Sequence, residues 1–142
     1  MGFTAKSYLK TQFENFANRI ELAFAKKEHY HVTTLTCTAN TSYGTNQYTS
    51  SAKTAYLTQI NERIRINKAI PTFQWITVAT ITEGKPSGTR RLNVIADDGG
   101  NVVSGINIAC QITTAGAIQI TSSADLNGKY ITIEGGYRNP SK

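Results

Sequence analysis

Few residues in this chain could do chemistry, and their spacing decides what that chemistry would be. His29 and His31 are two apart. In an extended segment residues i and i+2 point the same way, so the two imidazoles would share a face. Imidazole is the commonest metal ligand. If three copies met on an axis, six imidazoles would converge, enough for an octahedral ion such as iron, nickel or zinc. The competing expectation is that His29 sits at a helix end, where an imidazole is favoured, and that His31 is a plain strand residue. Asp97 and Asp98 are adjacent carboxylates, but Gly99, Gly100 and Asn101 follow them. That run reads as a turn, and it misses the spacing of a calcium loop. Cys37 and Cys110 make no CxxC pair and no zinc framework, so they read as reduced thiols. No nucleophile elbow, phosphate loop or HExxH pair occurs. The sequence predicts no enzyme, and no cofactor beyond the ion the histidines could hold.

The chain that must position these residues has 142 of them, a single domain by length. Apolar residues make up 39% and charged residues 17%, against usual values of about 45–50% and about 25%. The chain is therefore polar without being charged. That suits strands with one wet face, or a surface buried by symmetry, and excludes a highly charged disordered tail. No run approaches the 18 or so apolar residues of a membrane span. Residues 1–10 carry no apolar leader core, so no signal peptide is expected. Lys6 stands where a myristoylation signal wants Ser or Thr. Of the net charge of +6, residues 1–70 hold nine Lys and Arg against four acids, or +5, and the remainder holds six against five, or +1. The basic residues are scattered and do not form a stripe with stacking aromatics. A solvated face or an acidic partner is expected, and nucleic acid is not.

Residues 5–27 read as one helix. Leu9, Phe13, Phe16, Ile20 and Ala23 follow each other in steps of four, three, four and three, the a/d alternation of a heptad. Thr4 or Ser7 can cap the start, and Lys26 and Lys27 suit the negative end. At about 1.5 Å per residue the helix would be roughly 33 Å long. Two phenylalanines are wide for a two-stranded seam, so three helices about an axis fit better than two. The alternative is that the stripe packs on a sheet of its own chain.

The remainder changes texture. Residues 30–38 alternate with a period of two and read as a strand. Residues 39–51 read as a long polar loop. Asn40-Thr41-Ser42 matches a glycosylation sequon, which carries little weight without a leader. Leu57, Ile60 and Ile64 stand at helical spacing, so a helix is expected over 51–63. From residue 73 the β-branched residues dominate. Strands are expected over 73–82, 89–96, 101–113, 117–122 and 130–138, with Asp98-Gly99 and Asn127-Gly128 as hairpin signals. The expected fold is mainly β with α: an N-terminal heptad helix in a trimeric bundle, then a small antiparallel β-sandwich or barrel-like module. The expected divisions are residues 1–30 for oligomerisation or docking, 31–71 as connecting strand, loop and short helix, and 72–142 as the β-module.

The run from Ser7 to Ile20, with its Tyr8-Leu9-x-x-Gln12-Phe13-x-Asn15-Phe16 core, is followed by Ala25-Lys26-Lys27. It resembles the N-terminal helix of virion fibre and tail-associated proteins from phages of Gram-positive hosts. The resemblance covers residues 6–31, under a fifth of the chain. It implies that the helix bundles in threes and docks a fibre onto the particle. The His29-x-His31 element is similar to the metal-binding HxH of trimeric phage fibres. The resulting expectation is a noncatalytic structural component of a tailed-phage virion, a short trimeric fibre or a baseplate or tail-associated protein. It would assemble in the host cytoplasm, with copies of itself and other virion proteins as partners. A capsid decoration or head-fibre protein needs the same parts. A rival is a host-receptor or glycan-binding adhesin, its surface made of Tyr43, Tyr48, Trp75 and Tyr137. A further rival is a monomeric nucleic-acid binder.

Overall fold

The computed structural model describes residues 10–18 and 31–140. It divides into a unit of residues 1–31 and a unit of residues 32–142. In the first unit, residues 10–18 form a helix, α1, whose residues are all exposed. Nothing in this stretch interrupts a helix, since it contains neither Gly nor Pro. The structure thus shows a short helix where a long heptad was expected over 5–27. Leu9, Ile20 and Ala23 lie outside the described residues, so the full seam is not seen. Phe13 and Phe16 fall within α1, 75% and 61% exposed.

The second unit is a curled antiparallel sheet of ten strands. They are β1 (Thr33–Thr34), β2 (Cys37–Ala39), β3 (Gly44–Thr49), β4 (Ala52–Lys53), β5 (Leu57–Ile66), β6 (Ile76–Ile81), β7 (Arg90–Asp97), β8 (Ile108–Ile112), β9 (Ala117–Ser122) and β10 (Tyr130–Arg138). The order across the sheet is β1-β4-β5-β10-β7-β8-β9-β6-β2, and β3 also pairs with β5. β7 joins the two halves: Arg90–Leu92 pair with β8, and Asn93–Asp97 pair with β10. The sheet curls until β2 and β3 come together. There the Ala39 amide donates to Oδ1 of Asn46 at 2.8 Å.

The core follows the period of two. On β10, Ile131, Ile133 and Tyr137 point inward. On β9, Ile118, Ile120 and Ser122 do so, and on β8, Cys110 and Ile112. Gly135 also lies on the inward row of β10, where a Cβ would collide with the side chain of Leu92 at 2.7 Å. The missing side chain lets β7 and β10 approach.

Three expectations are corrected here. Residues 51–63 do not form a helix: Ala52–Lys53 and Leu57–Ile66 are strands. The inward row of β5 is Thr58, Ile60, Glu62, Ile64 and Ile66, all buried. A glutamate in the middle of that row breaks the apolar alternation and leaves Leu57, Ile60 and Ile64 looking helical. Residues 39–51 are not one long loop either, because Gly44–Thr49 pair with β5 around an irregularity between Asn46 and Tyr48. The strand expected over 101–113 starts at Ile108, after an irregular stretch.

Candidate functional site

On the outer face of the β7-β8-β9-β6 half, strand register builds two rows of side chains. One row runs Arg91, Gln111, Gln119, Thr77 across four strands. Nε2 of Gln111 donates to Oε1 of Gln119 at 2.9 Å, and Nε2 of Gln119 donates to Oγ1 of Thr77 at 3.4 Å. The next row contains the paired Ala109 and Thr121. These are small, so they form the floor of a groove of about 540 Å³, bordered by Trp75, Arg91 and Asn93. The Arg91 guanidinium lies over the Trp75 ring, 4.9 Å from its centroid. Cation–π contact of this kind holds an arginine in place while its N–H fork stays available.

Phe73 borders the same floor from the other side, over a smaller hollow of about 150 Å³ that also touches Ala109 and Thr121. Its φ is +56°, in the left-handed region that is uncommon for anything but glycine and strained for a bulky side chain. Its N–H donates to the Ser122 carbonyl at 2.8 Å. The residue is 76% exposed. Strained residues gather at functional sites, and here the strain displays an aromatic ring in water.

A second polar cluster is closed to solvent. Glu62 is fully buried. Its Oε1 accepts from Thr49 Oγ1 at 2.7 Å and from Ser51 Oγ at 2.6 Å, and its Oε2 accepts from Asn46 Nδ2 at 3.2 Å. The Cys37 thiol also bonds to it. Burial pushes the Glu62 carboxyl above the usual carboxylate range, and the donors pull it back only in part. Burial, aided by the Glu62 charge, pushes the Cys37 thiol up to about 12. A nucleophilic cysteine needs the opposite shift. The arrangement therefore fastens β2, β3 and β5 together and offers no attacking group. Burial also pushes Cys110 up to about 12.

The residues singled out from sequence are scattered. His29 lies outside the described residues. His31 is exposed, and no group of three or more metal-ligating side chains occurs among the described residues. Asp98 forms the expected turn, its Oδ1 accepting from the amides of Asn101 at 2.8 Å and Gly100 at 3.0 Å. Those bonds hold its carboxyl below the usual range. Asp97 meets Arg63 with both oxygens, at 2.6 and 2.8 Å, and this lowers it too. Asn40 of the sequon donates to the Thr77 carbonyl at 2.8 Å, and its Oδ1 accepts from the Ser42 amide at 3.0 Å, so both ends of its amide are engaged.

The four candidate aromatics do not converge. Tyr43 packs against the core, Tyr48 is exposed on β3, and Trp75 borders the groove. Tyr137 is buried and donates to the Gly84 carbonyl at 2.6 Å. Arg91, which lies over Trp75, and Phe73, which borders the adjoining hollow, were not among the candidates. Arg91 needs the strand register to place it, and a strained φ leaves no mark in a sequence. Glu62 carried a signal, as a lone acid among isoleucines alternating at 60, 64 and 66. No helix among the described residues is long and apolar enough to cross a membrane. No family model matches the chain, and neither a curated protein nor a solved structure matches it.

Proposed function

We propose that this chain is a noncatalytic structural component of a tailed-phage virion, a short trimeric fibre or a baseplate or tail-associated protein. The N-terminal residues would bundle in threes and dock onto the particle. The curled sheet, closing as a small barrel-like sandwich, would form an exposed head. The observation that carries this reading is the pair Phe13 and Phe16, three residues apart on α1 and 75% and 61% exposed. Burying a phenylalanine is worth about 1.5–3 kcal/mol, so six such rings around a threefold axis would supply a substantial driving force. The resemblance of the Tyr8–Phe16 core to phage fibre helices supplies the virion context. A capsid decoration or head-fibre protein would use the same two parts. Other virion proteins and further copies of the chain would be the partners. The test is chemical cross-linking of the chain at micromolar concentration. A ladder ending at three chains is expected, and Phe16→Asp should abolish it by placing a charge in a dry seam. A ladder unchanged by Phe16→Asp rejects the seam.

A second reading, a host-receptor or glycan-binding adhesin, is favoured by the aromatic groove at Phe73, Trp75 and Arg91.

A further inference from the structure

We propose that the groove between Phe73, Trp75 and Arg91 binds a saccharide that carries a carboxylate. This rests on the adhesin reading and gives it a site and a ligand class. The floor is Ala109 and Thr121, small enough for a sugar ring to lie flush on the sheet. The C–H face of a pyranose is apolar and stacks on aromatic rings, and two such rings, Phe73 and Trp75, border that floor. The Phe73 ring sits in water at a strained backbone, so the fold gains little from holding it there. Strain of this kind is found where a ligand is clamped. Asn93, exposed at the border of the floor, offers an amide to a sugar hydroxyl, while Gln111 and Gln119 in the adjoining row are bonded to each other and to Thr77. The volume of about 540 Å³ falls in the range of small-ligand sites.

The acidic class follows from Arg91. The ion pairs among the described residues are Lys53–Glu83 and Arg63–Asp97, so Arg91 has no carboxylate of its own. Its planar fork fits a carboxylate with two parallel bonds, and Trp75 already holds it in place. An acidic peptide is a poorer fit. Extended peptides bind by adding to an open sheet edge, and this groove lies on a face, where the backbone groups are already paired.

Trp75 is the single tryptophan of the chain, so intrinsic fluorescence reads this site alone. The full chain is titrated with methyl β-D-glucuronide and with methyl β-D-glucoside, which share a ring and differ in the carboxylate. The glucuronide should give a saturable change at millimolar concentration, and the glucoside should bind roughly tenfold or more weakly. Arg91→Gln should lose roughly the same factor. Ala109→Leu, which fills the floor, should abolish the response. Phe73→Asn should weaken binding without lowering the melting temperature, because asparagine tolerates this φ. A structural role for Phe73 would predict the reverse. Equal responses to the two sugars, no response to either, or full binding by Arg91→Gln would overturn the proposal. A glycan array of the full chain separates the two levels. Binding of neutral glycans untouched by Arg91→Gln rejects this ligand class and keeps the adhesin. Binding of no glycan rejects both.

Discussion

Glu62 sits among four donors, and two of these have no freedom to turn away. Oδ1 of Asn46 accepts the Ala39 amide, which leaves its NH2 facing the carboxylate. Ser51 Oγ accepts the Asn61 amide at 2.9 Å, which leaves its hydroxyl hydrogen for Glu62. Glu62→Gln would set an amide NH2 against one of these donors, at a cost of about 1–3 kcal/mol, read by urea unfolding. The pH dependence has a definite sign. Burial raises the carboxyl in the folded state, so its contribution is full below the ordinary value of about 4.3. It is lost as pH rises through the folded value. The stability gap between wild type and Glu62→Gln should therefore be widest in acid and narrow towards neutral pH. A gap that widens would mean that the four donors outweigh burial. Phe73 makes the opposite prediction. Its side chain is mostly exposed and its φ strained, so Phe73→Asn should stabilise the chain by about 1 kcal/mol in the same assay.

At the scale of elements, the sequence was most legible where branched residues alternate without interruption. Strands β9 and β10 lie at 117–122 and 130–138, as expected. Ile118/Ile120 and Ile131/Ile133 face inward there, with turn residues on both sides. β5 was illegible for a physical reason: its buried glutamate is tolerable only because Asn46, Thr49 and Ser51 reach it from the other strand and its loop. Those partners are distant in sequence, so local pattern reads the stretch as a helix. The same tertiary contacts order β3 within what reads as a polar loop. At the candidate groove, Trp75 was legible as an aromatic, while the row from Arg91 to Thr77 exists only through register. One turn can be tested directly. Gly116 has φ +83°, and a Cβ there would overlap the Ile81 carbonyl oxygen, which lies next to the 2.9 Å bond from the Ile81 amide to the Gly116 carbonyl. Gly116→Ala should cost on the order of 2 kcal/mol, measured by thermal melting, whereas the same change at the open Gly88 should cost much less.

For the whole molecule, the proposed assembly joins two features with different chemistry. The sheet closes a core of its own, with buried isoleucines on strands β5, β6, β8, β9 and β10. On α1, Phe13 and Phe16 stay in water, which suits a helix whose partner is another copy. Symmetry would also give the histidines a purpose. A chelator-free preparation should carry about one transition-metal ion per three chains if His29 and His31 ligate on the axis, and elemental analysis with none above background rejects that site. The association itself is the central claim, and the mass in solution tests it most directly. Light scattering on the full chain across micromolar concentrations should give about three times 15.5 kDa. A constant mass of 15.5 kDa over that range would contradict the account.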